Sequence, residues 1–126
     1  MSSKPRKWKF RLRHILEAIE RIEHYTASLS AGELQADREK QDAVVWNLTV
    51  IGEAARQIPE TVAQRYPEVP WPQMRGIRNR IVHGYDQINF DIIWNVIRNE
   101  LPPLVPALKR IIEQANEEGG GEAPTG

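Results

Sequence analysis

The sequence predicts an all-α protein, an up-and-down four-helix bundle whose last helix is kinked by proline. Three observations point there. Apolar residues recur at steps of three and four along most of the chain, and no stretch alternates strictly. Capping residues, prolines and glycines fall at the ends of the periodic stretches. At 126 residues the chain fits one domain, long enough to bury a core without disulfides or metals.

Leu12, Ile15, Leu16, Ile19, Ile22, Tyr25 and Leu29 form the apolar face of a first helix, with Ala31-Gly32 as its stop. Asp37 is the expected N-cap of a second, whose stripe is Val44, Leu48, Ile51, Ala55 and Ile58 and which Pro59 ends. A short turn of helix is expected at 60–66. Pro72 suits the first position of a third helix, where its missing N–H costs nothing. That helix should run to His83 and stop at Gly84, which tolerates the left-handed C′ conformation. Ile92, Ile93, Val96, Ile97, Leu101, Leu104, Leu108, Ile111 and Ile112 mark a fourth helix, which Pro102, Pro103 and Pro106 should kink or split. The domain is expected to span 1–118, with 1–7 as a flexible basic arm and the glycine-rich 119–126 as a disordered tail. Trp46 and Val50 give the second helix an apolar edge beside its main stripe. Surplus apolar surface on a small bundle predicts a subunit interface, hence a homodimer.

The chain has no cysteine, which rules out disulfides and thiolate metal sites and fits a reducing compartment. Its N-terminus is basic, broken by Pro5 and without an apolar stretch of signal-peptide length. The apolar runs, such as 44–46, are far too short to cross a bilayer, so a cytoplasmic protein with no membrane partner is expected. Lys and Arg number 17, as do Asp and Glu, so net charge names no partner. The distribution is more informative. Lys4, Arg6, Lys7, Lys9, Arg11, Arg13 and His14 cluster without an acid among them, and so do Arg75, Arg78, Arg80 and His83. Such asymmetry creates a local anion site on a neutral protein, although basic residues that merely solvate a tail give the first pattern too.

The second cluster lies in Arg78-Asn79-Arg80-Ile81-Val82-His83-Gly84-Tyr85. Read as a helix end, it sets an imidazole among carbonyl dipoles that favour the imidazolium and arginines that favour the neutral ring. A histidine pulled both ways suits general acid–base work near neutral pH. Asn79 shares a helical face with His83, whereas Arg78 lies on the adjoining face. Both Arg78 and His83 reach one phosphate only at the groove beside the helix end, or where a second subunit completes the site. The chemistry expected is RNA cleavage without metal or cofactor. A base removes the ribose 2′-OH proton, and a guanidinium stabilises charge growing on the phosphate.

Arg78-x4-His83-x-Tyr85 resembles the motif of HepT-type toxins, a branch of the HEPN superfamily of helical ribonucleases. Ile51-Gly52-Glu53-Ala54-Ala55, Pro70-Trp71, Arg78-Asn79 and His83-Gly84-Tyr85 are similar to that family's usual wording, in order and spacing, from the first helix to about residue 112. The resemblance implies catalytic Arg78 and His83, and a homodimer with its site where two copies of the motif helix meet. It also implies a type VII-like toxin–antitoxin system whose antitoxin, a minimal nucleotidyltransferase, uses ATP and Mg2+ to attach AMP to the motif tyrosine, here Tyr85. An anionic adduct beside Arg78 and His83 would compete with RNA phosphate. Asn79 and Glu53 are the expected supporting residues, and Arg75 and Arg80 the expected phosphate contacts. The alternative is a non-catalytic nucleotide- or protein-binding companion of a nucleotidyltransferase, in which the arginines only dock phosphates.

Overall fold

A stripe of Trp8, Leu12, Ile15, Ala18, Ile19 and Ile22, each buried, builds the first helix, α1 (Lys4–Thr26). The computed structural model describes residues 4–83 and 87–120. The helix already runs from Lys4, so 4–7, expected as a free basic arm, continue it. The reason lies at Trp8, buried and covered by the Arg65 guanidinium 5.8 Å from its ring centroid. That packing carries the helix beyond the first aliphatic residue, Leu12.

The stop expected at Ala31-Gly32 is instead a start. α1 ends at Thr26, and a short helix, α2 (Ala31–Ala36), begins behind a capping box. The Ser30 hydroxyl accepts from the Glu33 amide at 3.1 Å, and the Ser30 amide donates to the Glu33 carboxylate at 2.9 Å. Asp37 caps the next helix, α3 (Arg38–Arg56), by accepting from the Lys40 amide. Val44, Leu48, Ile51 and Ala55 of α3 are fully buried, and α3 packs along α1. α4 (Glu60–Arg65) follows Pro59.

The third helix expected from Pro72 to His83 is two short ones. α5 (Trp71–Arg75) and α6 (Ile77–Ile81) are separated at Gly76. Trp71 anchors the first, its buried indole N–H donating to the Tyr66 carbonyl at 3.0 Å. Nor does the helix reach His83. Val82–His83 form a strand, β1, paired antiparallel with β2 (Gln87–Ile88), with Val82 opposite Ile88 and His83 opposite Gln87. Val82 and Ile88 are β-branched, and such residues favour a pleated surface over a helix end. Two residues each is too short for alternation to be visible in sequence.

Asn89 caps α7 (Phe90–Asn95) through its side chain, and a π-helical turn, Val96–Glu100, continues it. The Leu101 amide closes that turn on the Val96 carbonyl at 2.8 Å. Pro102 and Pro103, which cannot donate to the helix ladder, separate this unit from α8 (Leu104–Gly120). Arg98 ties the π turn to the end of α1 by donating to the Thr26 and Leu29 carbonyls at 3.2 and 2.7 Å. α8 packs back on α1 through Leu108 and Ile111, both fully buried. Its helix runs two residues into the stretch expected as a disordered tail.

Candidate functional site

α3 and the short helices that follow it hold the motif segment in place. At Gly52 the backbones approach closely: a Cβ there would stand 3.3 Å from both the Met74 carbonyl oxygen and Ile77 Cγ2. The ends of α3 and α5 are tied reciprocally. The Arg56 Nε donates to the Arg75 carbonyl at 3.2 Å, and the Arg75 Nε to the Ala55 carbonyl at 3.4 Å. α6 then starts at Ile77, which is buried, as is Ile81; Arg78 and Asn79 lie exposed between them.

The three arginines of the basic cluster have different surroundings. Arg75 pairs with Glu60 at 3.2 Å. Arg80 forms a fork with Glu100, Nη1 to Oε1 at 2.9 Å and Nη2 to Oε2 at 2.8 Å. Arg78 is exposed and makes no hydrogen bond or ion pair among the described residues. Of the three, it is the one whose donors are open to a ligand there. Arg75 and Arg80, expected as phosphate contacts, are engaged with carboxylates.

The fork holds the Glu100 carboxyl below the usual carboxylate range, chiefly because Arg80 donates to it, against the opposing effect of partial burial. Arg80 is raised for the same reason. A carboxyl whose folded pKa lies below its unfolded value stabilises the fold above the unfolded value, and that stability is lost as pH falls through the folded one. Both side chains are about a third exposed, so solvent screens the pair and its contribution is modest. The melting-temperature difference between wild type and Glu100→Gln should therefore be present at neutral pH and close progressively as pH falls below the ordinary carboxylate value of 4.5. A difference that persists unchanged at pH 3 would show that the charge contributes nothing.

Arg78 borders a groove of about 500 Å³ between α3 and the β hairpin, lined also by Arg38, Asp42, Trp46, Val82 and Ile88. Trp46 is 67% exposed and Ile88 37%, so the groove is apolar at its rim and cationic at Arg78. His83 is exposed but does not line this groove. Its strand neighbour Val82 does, and successive strand side chains point to opposite faces. Within one chain the structure thus places Arg78 and His83 close in sequence but does not turn both into the same groove. Glu53, expected as a supporting residue, faces a second groove of about 350 Å³ with Arg11, His14 and Gln57, and pairs with Arg56 at 3.7 Å. The two grooves share Trp46 and Thr49. Tyr85 and the Gly84 turn lie outside the described residues. Among the described residues, no three His, Asp or Glu side chains assemble as a metal site would require. No helix there is long and apolar enough to cross a membrane.

Sequence reasoning missed Glu100 and Asn95, which donates to Glu100 at 3.1 Å. Glu100 lies 20 residues from Arg80, beyond any local spacing rule.

A family model described as "Ribonuclease HepT-like" matches residues 15–113, from α1 through most of α8. A protein of Methanocaldococcus jannaschii, "Putative RNase MJ0127", is 36% identical over 104 residues, covering 82% of this chain and 86% of that protein. "Probable ribonuclease HepT" of Thermococcus cleftensis is 33% identical over 93 residues, covering 74% and 84%. "Putative RNase TTE0752" of Caldanaerobacter subterraneus is 31% identical over 103 residues, covering 82% and 92%. No solved structure matches. The matched stretch runs unbroken across the Gly52 contact, the open Arg78 and the strand bearing His83, and with it the chain belongs to the HepT-like ribonuclease family of the HEPN superfamily.

Proposed function

We propose that this chain is an endoribonuclease that cuts RNA without a metal or cofactor, and that it is the toxin of a type VII-like toxin–antitoxin pair. The observation that carries the reading is Arg78, the one arginine of its cluster left open to a ligand among the described residues, on the groove beside the strand that bears His83. The names of two relatives, "Putative RNase MJ0127" and "Probable ribonuclease HepT", support the ribonuclease part of this reading. His83 takes the proton of a ribose 2′-OH, and the resulting oxygen attacks the adjacent phosphorus. The bond to the 5′-oxygen breaks, leaving a 2′,3′-cyclic phosphate, and the departing oxygen regains a proton. Arg78 binds the non-bridging oxygens, which carry most charge in the transition state.

The strand pleat that separates Arg78 from His83 favours a shared site. A homodimer seated on the Trp46–Ile88 rim brings the cations of two chains to one cleft and doubles the charge facing a phosphate. Arg75 and Arg80 then hold the fold, and Asn79, exposed on α6, serves the cleft.

Regulation falls to Tyr85. A phenol titrates near pH 10 and is a poor base at neutral pH, but its oxygen accepts a nucleotide. A minimal nucleotidyltransferase antitoxin transfers AMP from ATP with Mg2+: the phenol oxygen bonds the α-phosphorus, pyrophosphate leaves and the phenol proton is lost, and the adduct's phosphate occupies the anion site. Two measurements test this reading. Purified wild type should cleave single-stranded RNA in EDTA; its failure to do so removes the metal-free mechanism. Tyr85→Phe should retain most of that cleavage yet escape the antitoxin, so that co-expression no longer rescues growth and the intact mass gains no AMP. Rescue of growth without added mass would mean that the antitoxin blocks the cleft by contact alone.

A further inference from the structure

The Arg80–Glu100 fork sits on an irregular turn. In an α-helix each residue advances about 100°, so residues five apart stand about 140° apart round the axis. Asn95 and Glu100 are five apart, yet the Asn95 amide donates to Glu100 Oε2 at 3.1 Å. They meet because the turn Val96–Glu100 is π-helical, closed by bonds spanning five residues. Asn95 is itself held, accepting from the Asn99 amide at 2.7 Å. The carboxylate is therefore pre-aimed by its own helix before it meets Arg80. Planar two-point pairing with guanidinium fixes direction as well as distance. Arg80 lies two residues after Arg78 on the same five-residue helix, and three before His83 on the following strand. That helix is short, capped by no side chain at its start, and followed directly by the strand bearing His83. From the far side it is held by Gly52 and the α3 end; on this side the Asn89 amide donates to the Ile81 carbonyl at 2.7 Å, and the fork is the side-chain hold that ties it to the π turn.

We propose that Glu100 is a positioning residue of the cleavage site: the π turn aims its carboxylate at Arg80, and the fork sets the orientation in which segment 78–83 presents Arg78 and His83. This rests on the ribonuclease reading above. Glu100 touches no substrate. It acts through Arg80, which serves as a strut and not as a phosphate ligand. Misplacement of a catalytic group by about 1 Å can cost about a hundredfold in rate.

The test compares wild type, Glu100→Ala, Glu100→Gln, Arg80→Ala and the exchange Arg80→Glu with Glu100→Arg. RNA cleavage is measured alongside circular dichroism and deuterium exchange at the amides of 78–83. Glu100→Ala should lower kcat by about tenfold to a hundredfold, with KM little changed and overall helicity retained. Exchange at 78–83 should quicken. Arg80→Ala should match it, and the exchanged pair should recover most of kcat. Folded Glu100→Ala with wild-type kcat and unchanged amide exchange overturns the proposal. So does a folded exchanged pair that stays as slow as the single variants, since the carboxylate would then act by some route other than the fork. Should Glu100→Ala fail to fold, Glu100→Gln and the exchanged pair carry the same comparison. If wild type itself does not cut RNA, the ribonuclease reading falls, while amide exchange still decides whether the fork holds the segment.

Discussion

His83→Ala is expected to lower RNA cleavage by about a hundredfold to ten-thousandfold, the usual cost of losing a positioned general base. Arg78→Ala should fall by a comparable factor, because a donor aimed at developing charge is worth about a hundredfold to a thousandfold. Neither change should disturb the fold. Both side chains are exposed, and surface substitutions away from special contacts stay within about 0.5 kcal/mol. Melting temperature and helicity therefore separate a catalytic loss from a structural one. Arg80→Ala gives the internal control, since its guanidinium is already spent on Glu100. It should lose stability as well as rate, whereas Arg78→Ala should lose rate alone. Near-wild-type cleavage by His83→Ala in EDTA would remove His83 from the mechanism, whereas a folded wild type that binds RNA without cutting it would favour a companion subunit that only binds phosphates.

Trp46→Asp should dissociate the proposed homodimer and take cleavage with it. The indole is 67% exposed on α3, at the meeting of two grooves, so its replacement leaves the core of one chain intact. In a subunit interface a tryptophan at the centre of the contact is worth about 2 kcal/mol or more, or about thirtyfold in Kd. An aspartate there adds a charge that must be desolvated, which enlarges the loss. Light scattering at micromolar concentration should read twice the chain mass for wild type and one chain mass for the variant. A wild type that is monomeric and fully active would end the idea of a shared site. An active monomeric variant would show that each chain holds a complete site.

The fold class was legible because helices advertise themselves over many residues. α1 and α3 each expose four or more turns of the same apolar period, and Asp37 announced its cap. The pieces that were misread are those in which one residue outweighs the pattern. Gly76 breaks a helix that periodicity alone would continue, and Ser30 with Glu33 begins one where a glycine suggested an end. Two-residue strands carry no period at all. The site was legible as a motif, since Arg78, His83 and Tyr85 fall within eight consecutive residues. What each arginine does was not legible, because Glu60 and Glu100 reach Arg75 and Arg80 from 15 and 20 residues away. Such pairings are set by how elements cross, which local spacing does not encode.

The contact at Gly52 has a bearing on how this protein tolerates change. Where side chains separate two helices, each apolar substitution alters the gap by a rotamer or a methylene. Under Gly52 the spacer is a peptide carbonyl and one methyl-sized branch of Ile77. The carbonyl cannot be lengthened by any substitution, and the branch changes only when Ile77 itself does. Arg78, one residue after Ile77, is thereby buffered against drift elsewhere in the aliphatic interior, as long as Ile77 keeps its branch. The cost of that insulation is concentrated at one position, where any added side chain presses directly on the backbone that carries the site.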